Sequence, residues 1–129
     1  SDVCSSDLVT RERTAARLAT EEGEKYPEVL STPNLIGDLE RACAMLLEPL
    51  QQEGQLSVGA AIDIRHVAPT GVGGEYKCTA TFTGQEGVLY WFDVVGTDSV
   101  GVIGKGRIAR AIVNEAEIEK RANFAVKKD

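Results

Sequence analysis

Three side chains of this sequence have the types and the placement to do chemistry together. They are the hydroxyl of Thr32, the carboxylate of Glu40 and the imidazole of His66, the only histidine. An imidazole titrating near neutrality can act as a general base, and a carboxylate can share or orient that role. A hydroxyl beside such a pair can attack, or can position the water that attacks. Each residue also has a plainer role. Thr32 can be a helix cap, Glu40 a snorkelling edge residue or a partner for Arg110, and His66 a satisfied histidine at a strand end. The three gain weight because one helix and one strand can bring them to a common place.

Other chemistries find less support. The cysteines Cys4, Cys43 and Cys78 make no CxxC pair and no zinc spacing, so they read as reduced thiols of a cytoplasmic protein. No metal ligand set is present, and no cofactor motif is needed. A formal net charge of -6 argues against a nucleic-acid partner, which requires a basic patch. No apolar run is long enough for a membrane span, and no polybasic cluster suits a membrane surface.

The elements that must position the trio can be read from pattern. Thr32-Pro33 marks a helix start, with the threonine as N-cap and proline in the first turn. The helix is predicted over residues 33–48 and ends at Pro49. On a helical wheel Leu35, Leu39, Ala42, Cys43 and Leu46 form an apolar stripe. Asp38, Arg41, Met45 and Glu48 form the wet side. Glu40 stands apart from those charges, at the apolar edge beside Ile36 and Leu47, where a carboxylate must be paired or used.

After the helix the period changes to two. Residues 55–67 read as a strand with Val58, Ala60, Ile62, Ile64 and His66 of one parity. Residues 74–84 place Tyr76, Cys78, Ala80 and Phe82 on one face, and residues 88–96 are apolar on both faces. Residues 100–114 form a long glycine-containing strand, and residues 115–122 a short helix. Residues 9–18 fit a strand or a short helix equally well. The 129 residues therefore read as one domain over 9–122, with residues 1–8 a non-native or disordered tail and residues 123–129 a fraying end. A meander with one long helix buries its apolar face by curling around that helix. This α+β layout is that of a hot-dog domain, although a cone or roll shares it.

At three segments the chain resembles a known family. YPEVLSTPNLIGDLERAC (Tyr26 to Cys43), SVGAAIDIRHVAPTG (Ser57 to Gly71) and IGKGRIARAIV (Ile103 to Val113) are similar to thioesterases of the fluoroacetyl-CoA-specific type, within the hot-dog superfamily. The resemblance spans roughly residues 9–114 and needs no gap between Thr32 and His66. It implies that Thr32, Glu40 and His66 match the family's catalytic threonine, carboxylate and histidine. It also implies that Gly59 lies close to the reacting group, that Arg110 matches an arginine of the last strand, and that Tyr26 covers the acyl pocket. The family's Thr-His-Glu run before that arginine is replaced here by Arg107, Ile108 and Ala109, which leaves the acyl group open.

The implied reaction is hydrolysis of a small acyl-CoA or acyl-pantetheine thioester in a homodimer, with sites between subunits. Activated water is favoured over an acyl-enzyme, because an N-cap hydroxyl is already committed to a hydrogen bond. Lys77, Lys105 and Arg107 are available for the phosphates of CoA. Three alternatives remain open: a hot-dog hydratase or dehydratase, a module that binds acyl thioesters or another hydrophobic ligand without turning them over, and a structural or interaction domain. The first is disfavoured because alternation puts Asp63 on the face opposite His66.

Overall fold

A serine decides where the long helix begins. In the computed structural model, which describes residues 2–126, α1 spans Thr32–Leu47. Its N-cap is Ser31, whose extended backbone sets its Oγ to accept from the Asn34 N–H at 3.1 Å. Thr32 is the first helical residue and not the cap, which corrects the expectation from the Thr-Pro pair. Pro33 follows, where its missing N–H costs nothing. Leu35, Leu39, Ala42, Cys43 and Leu47 are buried along one stripe, each buried leucine contributing about 2 kcal/mol. Asp38 departs from the wheel. Its side chain is buried, accepts from the Tyr76 hydroxyl and pairs with Arg41, whereas Arg41, Met45 and Glu48 are exposed as expected. The helix ends in a 3-10 turn at Glu48–Leu50.

Five antiparallel strands form one sheet against this helix. They are β1 (Asp2–Leu8), β2 (Gln55–His66), β3 (Glu75–Glu86), β4 (Leu89–Asp98) and β5 (Val102–Asn114), in the order β1-β3-β4-β5-β2. The apolar-on-both-faces strand β4 is the central one, as its pattern requires. Tyr76, Cys78 and Ala80 of β3, Phe92 and Val94 of β4 and Ile108 of β5 join the helix leucines in the core. Gly104 lets the first turn of α1 settle on the sheet, since a β-carbon there would stand 2.8 Å from Leu35 Cδ2.

Three boundaries differ from pattern reading. Asp2–Leu8, expected as a tail, is strand β1 and pairs with β3 from Asp2↔Thr81 to Leu8↔Glu75. Residues 9–18 are neither strand nor α-helix but two 3-10 turns, Arg11–Arg13 and Ala15–Leu18. The last helix, α2, runs over Glu115–Val126, so residues 123–126 of the expected tail are helical, and the remainder of it lies outside the described residues.

The strand β2 carries a bulge between Gly59 and Ala61. Strict alternation would set Val58 on the face of His66. The bulge instead pairs Gly59 with Arg110 and Ser57 with Ile112, while Ile62, Ile64 and His66 pair with Ile108, Gly106 and Gly104. Ser57, Gly59 and His66 therefore share the helix face, and Val58 does not, because one extra residue reverses the parity.

Candidate active site

The clearest juxtaposition is between the start of α1 and the end of β2. Thr32 Oγ1 lies 2.8 Å from His66 Nδ1. The threonine hydroxyl is available for this contact because Ser31 does the capping. For Nδ1 to accept from the hydroxyl, the ring proton must sit on Nε2. Nε2 is buried and has no partner among the described residues. Burial pulls the His66 pKa below the ordinary histidine value, against an opposing effect of the Ala68 backbone, and so favours the neutral ring. A neutral imidazole touching a hydroxyl is a base in the state that can accept a proton.

Three chain segments wall this pair. Ala15, Pro27, Val29, Val67 and Pro69 line a cavity of about 320 Å³ into which Thr32 and His66 also face. The wall before the helix is fixed by backbone bonds: Leu30 N–H to the Thr70 carbonyl, Ala15 N–H to the Val29 carbonyl and Ser31 N–H to the Arg13 carbonyl. Thr70 Oγ1 donates to Asp98 Oδ2 at 2.7 Å, and Asp98 also accepts from the N–H groups of Val100 and Gly101. These bonds tie the loop after His66 to the β4–β5 turn and to the segment entering α1. The hydrogen bond from Thr70 and those from the turn hold the Asp98 pKa below its usual value.

Glu40 sits in a second cluster. Arg110 Nη1 donates to Glu40 Oε2 at 3.0 Å, Nε donates to Ser57 Oγ at 3.0 Å and Nη2 donates to the Ser57 carbonyl at 2.8 Å. Both ions are largely shielded, with 12% of the Arg110 side chain and 26% of the Glu40 side chain exposed. A β-carbon on residue 59 would lie 2.2 Å from Glu40 Oε2, so any other residue there has to displace that carboxylate. Pattern reading missed Ser57, because nothing short of the bulge turns it toward Arg110.

The structure thus joins Thr32 to His66, and Glu40 to Gly59 and Arg110, as two clusters. Eight residues of helix separate Thr32 from Glu40, about 12 Å of rise. Seven residues of β2 separate Gly59 from His66, roughly 20 Å of strand. Tyr26 stands outside the cavity lining. It is exposed, and its hydroxyl donates to Glu24 Oε2 at 2.9 Å. The cysteines contribute no nucleophile from the core, since burial pushes the thiols of Cys43 and Cys78 up to about 12. No grouping of three or more potential metal ligands occurs among the described residues.

Comparison with known proteins gives this geometry its context. The family model described as Fluoroacetyl-CoA-specific thioesterase matches residues 9–116. The chain belongs to the fluoroacetyl-CoA-specific thioesterase family. Within it, the chain is 32% identical over 109 residues to the fluoroacetyl-CoA thioesterase of Streptantibioticus cattleyicolor, covering 83% of this chain and 78% of that protein. It superposes with a TM-score of 0.92 and 26% identity on a variant of a fluoroacetyl-CoA thioesterase in complex with acetyl-CoA, covering 98% and 97% of the two chains. A hot-dog-like protein from Thermanaerovibrio acidaminovorans shares the fold at a TM-score of 0.85 and 20% identity, over 100% of this chain and 93% of that one. The hot-dog fold and a thioester hydrolase of this family are thereby established, as the three quoted segments implied. Among the described residues, no helix is long and apolar enough to cross a membrane.

Proposed function

We propose that this family member hydrolyses a small acyl-CoA thioester at the Thr32–His66 pair, with Glu40 completing the site across a homodimer interface. The observation that carries the proposal is the 2.8 Å contact between Thr32 Oγ1 and His66 Nδ1 at the mouth of a cavity with apolar walls. Water attack would be favoured if the Thr32 hydroxyl were committed as the N-cap. Ser31 takes that role, so the hydroxyl nearest the base is free to react. As Thr32 Oγ1 bonds to the acyl carbon, its proton passes to Nδ1. The C–S bond then breaks, and the proton on Nδ1 passes to the departing CoA sulfur, which returns His66 to its neutral form. Water, deprotonated by His66, then attacks the acyl-threonine ester, and the same proton returns from His66 to Thr32 Oγ1 as the acid departs. Backbone N–H groups at the helix start or near Gly59 are the candidate oxyanion donors.

The partner supplies what one protomer lacks. A buried Nε2–H without an acceptor costs about 1–3 kcal/mol. The strand β2 is a sheet edge whose outer backbone groups can pair with another strand. Antiparallel pairing of two β2 edges, centred between Ile62 and Asp63, would set Gly59 of one copy beside His66 of the other. The partner's Glu40, held by its own Arg110, then stands near Nε2 with Oε1 open. Free thiols at Cys43 and Cys78 suit the cytoplasm, where we place the protein.

The test is a thiol-release assay over acetyl-, propionyl-, butyryl- and hexanoyl-CoA, joined to sedimentation of the native chain. Turnover lowered at least 100-fold in His66→Ala, in a folded dimer, is expected. An acyl adduct on Thr32, trapped by acid quench and detected by mass spectrometry, supports the covalent route. A burst-free reaction with no adduct points to direct water. Normal turnover by His66→Ala, or a fully active monomer, overturns the composite site.

A further inference from the structure

The outer face of the sheet, away from α1, carries charged side chains in cross-strand rows, and one row is out of balance. In the row Asp63↔Arg107↔Asp93, acid, base and acid alternate. Arg107 is doubly engaged there, 4.0 Å from Asp93 Oδ1 and stacked 4.3 Å over the Trp91 ring. Two residues along, toward the His66 end of β2, the next row is Arg65↔Lys105↔Val95. Here two cations face each other, and among the described residues neither has an ion-pair partner. Like charges directly opposite are destabilising in an antiparallel pair. The two rows line one groove of about 370 Å³ on this face, with Arg65 and Lys105 at the end nearest the Thr32–His66 site.

The placement suggests a ligand. Arg65 precedes His66 in the chain, and Lys105 follows Gly104, the residue paired with His66. The basic row therefore lies one residue from the imidazole, on the reverse side of the same strand end. The β2 strand stops at His66, and Val67 beyond it is exposed. We infer that Arg65 and Lys105 form an anion site for the phosphates of the CoA tail, whose arm leaves the cavity past Val67 and turns onto the outer face. The pantetheine arm has the reach, being about as long as five residues of extended chain, roughly 17 Å. Arg107 and Lys77 are not part of the site: the first is bound to Asp93 and Trp91, and the second stands on β3, three strands from Arg65.

This inference rests on the thioesterase reading for the identity of the ligand, and its experiment separates the two. Free CoA is titrated calorimetrically into the native chain and into Arg65→Gln, Lys105→Gln and, as a charge-matched control, Lys120→Gln. Turnover is measured in parallel on an acyl-CoA and on the same acyl group carried by N-acetylcysteamine, which lacks the phosphates. Each of the first two substitutions is expected to weaken CoA binding about tenfold, with a shallower salt dependence, and the control is expected to leave it unchanged. Their kcat/KM should fall on the CoA substrate relative to the truncated one. Unaltered CoA affinity in both variants overturns the anion site, whatever the turnover. Absence of turnover on both substrates by the native chain sinks the thioesterase reading, while the CoA titration still decides the site.

Discussion

The carboxylate of Glu40 occupies the space that a β-carbon on Gly59 would need. A β-carbon on residue 59 would come within 2.2 Å of Glu40 Oε2, the oxygen that Arg110 also holds. Gly59→Ala must therefore push the carboxylate away from the guanidinium or shift β2 at its bulge. The expected result is a fall in kcat of tenfold or more, with a melting temperature lowered by only a few degrees. Steady-state kinetics beside a thermal scan check it. Undiminished kcat in the variant would show that the position of Glu40 does not matter to turnover.

The pH profile should report His66. Burial lowers its pKa, and the neutral ring is the form that can act as base. The value of kcat/KM should stay level above pH 6.5 and drop only as pH falls through a value below the ordinary histidine pKa. Stability has the same sign. A base with a depressed folded pKa leaves the fold fully stable above the unfolded value and weakens it as the solution turns acid. A limb centred above pH 7 would contradict the assignment.

Neighbouring hydroxyls in the sequence should separate cleanly by function. Ser31→Ala removes the cap and should cost about 1 kcal/mol of stability, read from urea denaturation, with activity largely kept below the transition. Thr32→Ala should do the reverse, losing 100-fold or more in kcat at nearly native stability. Thr32→Ser keeps the hydroxyl and should retain substantial turnover. Full activity in Thr32→Ala would reduce this residue to scaffolding.

Asp38 and Tyr76 pin the helix to the sheet on the side away from β2. The Tyr76 hydroxyl donates to the buried Asp38 carboxylate, and burial followed by that bond raises the tyrosine pKa. Tyr76→Phe leaves the carboxylate with Arg41 alone and should cost about 2 kcal/mol, measured by chemical denaturation. The value of kcat at 25 °C should not change, because neither residue lines the cavity.

Much of this protein could be read from local pattern. Periods of 3.6 and 2 located α1 and β2 to β5 nearly to their ends, because one-sided burial imposes those periods on any helix or strand packed on a single core. The lone histidine and the off-stripe Glu40 were visible as side chains whose chemistry did not match their faces. The Ser31 cap was harder to see, since two adjacent hydroxyls can each accept from the first turn and only backbone torsion decides between them. Asp2–Leu8 has little apolar alternation, because an edge strand owes its order to hydrogen bonds with β3 more than to burial.

The sequence by itself determined which groups exist to do chemistry, and which elements carry them. Tertiary structure alone decided who meets whom. The bulge near Ala60 reverses the strand's parity and turns Ser57 and Gly59 toward Arg110 and Glu40. The helix crosses the sheet so that Thr32 reaches His66 at one end while Glu40 stays with Arg110 at the other. Neither outcome leaves a periodic trace, because a bulge is a single unpaired residue and a crossing is set by side chains far apart in the chain.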